Sequence, residues 1–182
     1  MDVKEVKIHD KKFRLFISNE KIVEVIENMA CEMNRDLAGK KPFFISVLNG
    51  SFIFAAELFK RISFTDAEIT FMRLSSYDGE RTTGHVRQLI GLNENIGGRT
   101  VVVLEDIVDT GISLDHMCSY LKKMNPAKLL TAALLVKPDA LKINIRPDYV
   151  GMEIPNDFIV GYGLDYNGYG RNLTDIYSVI NE

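Results

Sequence analysis

From Thr100 to Ser113 an aliphatic run ends in two adjacent carboxylates, Glu105 and Asp106, resumes for Ile107 and Val108, and closes on Asp109-Thr110-Gly111-Ile112-Ser113. Two kinds of chemistry meet there. Thr110-Gly111 opens a helical pattern, so its unpaired backbone N–H groups and the positive end of the helix dipole form an anion site suited to phosphate, to which Thr110 and Ser113 add hydroxyl donors. Acidic residues beside an anion site make sense when the ligand also carries hydroxyls or a cation. Glu105 and Asp106 can hold ribose hydroxyls, directly or through hydrated Mg2+, while 110–113 hold a phosphate on the same sugar. Other phosphate-binding patterns are missing: no Gly-x-x-x-x-Gly-Lys-[Ser/Thr] occurs, and no Gly-x-Gly-x-x-Gly follows a strand. Asp109-Thr110-Gly111 also matches the aspartic-protease triplet, but an all-β protease does not carry the alternation described next.

Ile22, Val25, Ile26, Met29, Ala30, Met33 and Leu37 recur at helical spacing and predict a helix over 19–38, with Ser18 or Asn19 as N-cap and Gly39 as a stop. The apolar run 43–48 predicts a strand buried on both faces, followed by a short helical pattern through Phe52, Ala55 and Leu58 and a strand over 67–74. The polar stretch from Ser75 to His85 has no apolar face and predicts a loop or a loosely held hairpin. Three consecutive valines make 100–104 the clearest central strand; a helix from near Ser113 to Asn125-Pro126 and a strand over 129–136 complete a βαβ unit. The fold class expected is α/β, with a largely parallel central sheet flanked by helices, in one domain over 1–182. Five of the seven tyrosines lie after residue 148 among glycines, which predicts short strands and turns over one end of the sheet.

Composition narrows the setting. The chain has 182 residues, 46% hydrophobic and 26% charged, with a net charge of −3, which is enough to bury a core without disulfide or metal. Cys31 and Cys118 lie far apart, and His9, His85 and His116 form no zinc pattern, so a reduced cytoplasmic protein is expected. A charged N-terminus and the lack of an 18-residue apolar run argue against secretion and membrane insertion. The acidic balance argues against a surface built to grip nucleic acid.

The 100–113 segment resembles the phosphoribosyl pyrophosphate (PRPP) motif of the type I phosphoribosyltransferases. Leu48-Asn49-Gly50-Ser51, Ser75-Ser76-Tyr77, Leu134-Leu135-Val136-Lys137 and the run from Asp157 to Arg171 follow the order and spacing of the hypoxanthine-guanine branch. The resemblance implies that family's fold, with a small hood formed by about 1–18 and 150–182. It implies Mg2+-dependent purine salvage: transfer of 5-phosphoribosyl from PRPP to N9 of hypoxanthine or guanine, in a homodimer or tetramer that binds small molecules and no nucleic acid. Glu105, Asp106, Ile107, Val108, Asp109, Thr110, Gly111, Ile112 and Ser113 would hold the ribose 5-phosphate. Asn49, Gly50, Ser76, Tyr77 and Arg171 would meet the pyrophosphate. Asp109, near purine N7, and Lys137, at the 6-oxo group, would be catalytic. Phe158 would stack on the base with Asp157, Ile159 and Asp165 beside it, and Glu105, Asp106 and Asp165 would be metal ligands. The loop 75–87 would close as a lid. Asn49 stands where many members carry Lys, and Leu141 where some carry an extra Arg. The alternative implied is an RNA-binding regulator that retains a PRPP-binding fold.

Overall fold

The computed structural model of the chain describes residues 4–74 and 88–180. Its larger sheet is built from β3 (Phe43–Val47), β4 (Glu68–Leu74), β5 (Gln88–Ile90), β6 (Thr100–Val108), β7 (Lys128–Val136) and β8 (Tyr149–Glu153) in the order β5-β4-β3-β6-β7-β8. β4, β3, β6, β7 and β8 run parallel, and β5 pairs antiparallel with β4 at one edge. α1 (Asn19–Asp36) and α2 (Phe52–Phe59) cover one face, and α3 (Ile112–Lys122) covers the other.

The continuous apolar runs are explained by this double covering. Along β3, Phe44 points into the core with Ile22, Ile26, Met33, Phe54 and Leu58, while Phe43 and Ile45 point to the opposite core with Leu114, Met117 and Leu121. Along β6, Val102 and Leu104 take the first side, Val101 and Val103 the second. Each large side chain so enclosed contributes roughly 1.5–3 kcal/mol. Ser18 is the N-cap of α1: the Lys21 N–H donates to its Oγ at 3.4 Å.

The hood is a second, four-stranded antiparallel sheet, β1-β2-β10-β9, made from β1 (Glu5–Ile8), β2 (Lys11–Ile17), β9 (Ile159–Val160) and β10 (Ile176–Val179). Phe13, Val160 and Tyr177 form its small core. Asp175 ties the hood to α1. Its buried carboxylate pairs with the Lys4 ammonium and accepts the Asn19 N–H at 2.9 Å and the Tyr177 hydroxyl at 3.2 Å.

Three differences from the sequence expectation bear on the site. β6 runs on to Val108, so Glu105 and Asp106 lie within the strand. Tyr149–Glu153, assigned above mostly to the hood, is the outer parallel strand of the main sheet, its half-buried residues packing on β7 and α1. Gln88–Ile90, where the sequence pattern predicts no strand, forms β5 and pairs with the end of β4. The proposed lid, with Ser76 and Tyr77, lies outside the described residues. Among those described, no helix is long and apolar enough to cross a membrane.

Candidate active site

Parallel strands deliver their C-terminal ends to one edge of the sheet, and the segments carrying chemistry collect there. β3 ends in Leu48-Asn49-Gly50, β6 in Asp109-Thr110-Gly111, and β7 in Lys137. A cavity of about 630 Å³ opens at the other edge, among Gly39, Lys41, Glu68 and Arg99, and none of the candidate residues lines it.

The helix α3 starts at Gly111, whose φ of +81° is a left-handed value that glycine adopts at little cost. A Cβ there would also fall 2.6 Å from the Ile145 Cγ2, so both backbone and space require glycine. No side chain of Gly111 can cap the helix; the Thr110 hydroxyl accepts the Ile112 N–H only at a long 3.4 Å. The first-turn amides therefore retain the capacity to bind an anion. Behind this turn the Lys142 N–H donates to the Thr110 carbonyl at 3.0 Å, and Leu141 packs against Gly111, so the position compared above with an Arg supports the turn as an apolar contact.

Asp109 and Lys137, remote in sequence, meet at this edge. The Lys137 ammonium lies 3.0 Å from the Asp109 Oδ2; the Lys137 side chain is 7% exposed and that of Asp109 49%. A buried ammonium needs a counter-charge and acceptors for its N–H groups, and the Asp109 carboxylate meets that need from the solvent side.

Glu105 is 7% exposed and Asp106 half-buried, and neither has an ion-pair partner among the described residues. Burial pushes the Glu105 carboxyl well above the usual carboxylate range, with the adjacent Asp106 charge adding to it. Burial likewise raises Asp106 to about 6, against the N–H groups of Ile107 and Asp106 and the Arg171 charge, which lower it. Two desolvated carboxylates without an ion-pair partner among the described residues are oxygen ligands suited to a hard cation. Asp165, the third expected ligand, pairs here with Arg171: its Oδ1 lies 2.7 Å from an Arg171 nitrogen and its Oδ2 accepts the Gly168 N–H at 2.6 Å. Among the described residues no three His, Cys, Asp or Glu side chains converge into a ligand group. The chain thus fits a cation that takes one or two protein carboxylates and draws its other ligands from substrate and water, as Mg2+ does.

The hood closes over the same edge. A Cβ on Gly163, at φ +99°, would lie 2.0 Å from the Gly50 carbonyl oxygen, and one on Gly50 would lie 1.6 Å from the Asp106 Oδ2. Hood, loop and strand end are thus stacked backbone to backbone to carboxylate. Arg171 holds the hood turn by donating to the Gly163 carbonyl at 2.7 Å while it pairs with Asp165. The Leu48–Asn49 peptide is cis, and Asn49 is exposed. Phe158 is 43% exposed, with its ring 5.6 Å from Tyr166 and 6.2 Å from the buried Phe13, so it offers a supported aromatic face. Asp157 is exposed beside it, whereas the Ile159 side chain is buried in the main core and leaves only its backbone for a ligand. The roles of Gly163 and Asp175 carry no motif in the sequence beyond glycine and an isolated acid.

Comparison with known proteins agrees with this geometry. The phosphoribosyl transferase domain family matches residues 17–167. The chain is 38% identical over 161 residues to a hypoxanthine-guanine phosphoribosyltransferase of Streptococcus pneumoniae, covering 88% of this chain and 89% of that one. It is 35% identical over 177 residues to that of Aquifex aeolicus, covering 94% and 97%. The crystal structure of a Bacillus anthracis hypoxanthine-guanine phosphoribosyltransferase superposes with a TM-score of 0.84 at 36% identity, over 98% of this chain and 99% of that one. A Trypanosoma cruzi hypoxanthine phosphoribosyltransferase in complex with its product IMP gives 0.84 at 33% identity, over 96% and 97%. With a glycine-opened helix start, a buried carboxylate pair and an aromatic hood on a matching fold, the chain belongs to the hypoxanthine-guanine phosphoribosyltransferase family.

Proposed function

We propose that the protein is a purine-salvage enzyme that transfers the 5-phosphoribosyl group of PRPP to N9 of hypoxanthine or guanine, giving IMP or GMP and pyrophosphate. The observation that carries this reading is the 3.0 Å pair of Lys137 and Asp109 at the edge where α3 starts with no side-chain cap from Gly111. An ammonium offers only donors and a carboxylate only acceptors, so the pair matches a base with an acceptor at O6 and a proton at N7. As N9 attacks C1′ the purine gains positive charge, and Asp109 accepts or shares the N7 proton while Lys137 steadies O6. Departure of pyrophosphate leaves positive charge on the ribose and extra negative charge on the leaving group. The 48–50 backbone, Arg171 and the α3 amides are the fixed donors that meet the phosphates. Mg2+, when bound with PRPP, would neutralise pyrophosphate oxygens, with Glu105 and Asp106 as the acidic residues nearest to that role. Phe158 covers the base, and with the hood excludes water that would hydrolyse the activated sugar.

The free thiols of Cys31 and Cys118 accord with a cytoplasmic setting. Exposed Phe52, Phe71 and Ile90 are apolar surface that a second copy would cover in a homodimer or tetramer. The function is tested by turnover with PRPP, Mg2+ and hypoxanthine, run beside filter binding to RNA. IMP formation without RNA retention is expected, and the reverse would replace the enzyme by an RNA-binding regulator.

Two variants probe the residues. Asp109→Asn should lower kcat by about 10²-fold or more and leave the KM for PRPP nearly unchanged. A wild-type kcat would reduce Asp109 to the partner that neutralises Lys137. Gly50→Ala should raise the KM for PRPP about tenfold or more, because its Cβ cannot share space with the Asp106 carboxylate. An unchanged KM in steady-state kinetics would show that the loop shifts without cost.

A further inference from the structure

Ser46 stands in β3, where a doubly covered sheet calls for an apolar side chain, and Ser51 directly precedes α2; both have no exposed surface. Their Oγ atoms are 2.7 Å apart, and the Ser51 Oγ donates to the Val47 carbonyl at 2.5 Å. A hydroxyl has one proton, and a carbonyl can only accept. With the Ser51 proton committed to Val47, Ser46 must be the donor within the pair, so the bonds run one way, from Ser46 to Ser51 to the Val47 carbonyl.

This chain of bonds closes a ring across Leu48-Asn49-Gly50. Serine directly before a helix normally turns its oxygen to the first-turn amides, yet α2 receives no side-chain cap from Ser51. The hydroxyl serves the loop instead of the helix. The stretch 48–51 contains no Lys or Arg, so whatever grip it has on an anion comes from backbone N–H groups and the Asn49 amide, whose directions depend on the loop's shape. Gly163 and Asp106 press on Gly50 from outside; the serine pair braces the loop from within.

We infer that Ser51, oriented by Ser46, is a positioning residue that holds the 48–50 backbone in the form that grips pyrophosphate. The inference rests on the proposed function, in which that loop meets the leaving group.

The test is the reverse reaction, IMP plus pyrophosphate, which gives the two ligands separate KM values. Ser51→Ala should raise the KM for pyrophosphate about tenfold, with the KM for IMP changed less than about twofold; Ser46→Ala should raise the same parameter about threefold. Because Ser46 acts through Ser51, the double variant should match Ser51→Ala instead of multiplying the two effects. A general loosening of the fold would raise both KM values together, and that result, or an unchanged KM for pyrophosphate in folded Ser51→Ala, overturns the inference. Should Ser51→Ala not fold, Ser46→Ala decides: a selective rise supports the assignment, and wild-type kinetics overturn it. Wild-type protein without activity in either direction would instead defeat the proposed function.

Discussion

Removal of divalent cations with EDTA is expected to bring phosphoribosyl transfer below about a thousandth of its rate, and excess Mg2+ to restore it, since charge neutralisation on a leaving polyphosphate is worth several kcal/mol. The chain's own contribution is visible in its acid pair. Burial raises both Glu105 and Asp106, the latter to about 6, so desolvation shifts both toward their neutral forms; a bound cation would act in the opposite direction and favour the carboxylates. Glu105→Gln combined with Asp106→Asn should therefore raise the KM for PRPP about tenfold and leave that for the purine within about twofold. Turnover persisting in EDTA would remove the metal from the mechanism. Equal loss of PRPP and purine affinity would make the pair structural.

Hypoxanthine should exceed adenine in kcat/KM by about 10⁴-fold, the scale seen when a site built to hydrogen-bond one group meets an analogue that cannot accept the bond. The Lys137 side chain is 7% exposed and one of its three N–H donors is given to Asp109, which leaves two for a base. A 6-oxo oxygen accepts there, whereas the amine of adenine puts donor against donor beside a buried charge. Lys137→Gln, which carries both a donor and an acceptor, should lower the hypoxanthine rate and narrow the gap. Guanine should rank near hypoxanthine and above xanthine, with backbone carbonyls by Ile159 and Asp165 as the acceptors for its 2-amine. Relative kcat/KM for the four bases checks this, and adenine within about tenfold of hypoxanthine would take the selective role from Lys137.

Much of the frame follows from local pattern. Nearly continuous apolar runs at 43–48, 100–104 and 129–136 point to strands covered on both faces, and Ile22 to Leu37 at helical spacing to an amphipathic helix. The segment from Glu105 to Ser113 announced a phosphate and sugar site because glycine, hydroxyls and carboxylates cluster within nine residues. Periodicity decides which face of an element is apolar, and such a motif is short enough to be complete in one stretch of chain.

Partnership across the chain was decided by the tertiary structure. Asp109 and Lys137 are 28 residues apart and meet because β6 and β7 are parallel neighbours in register, Val108 opposite Val136. Asp165, expected at the metal, is held by Arg171, since the tight hood turn brings the two side chains within 2.7 Å. Gly163 lies on Gly50 and Gly50 on Asp106 through approaches only glycine permits, and no periodicity encodes which distant backbone will arrive. Tyr149–Glu153 joined the main sheet because its partner was β7, and the N-terminal hairpin joined β10 in the hood. Strand type is a local property of alternating side chains, whereas strand partner is chosen by the burial that the whole topology makes available.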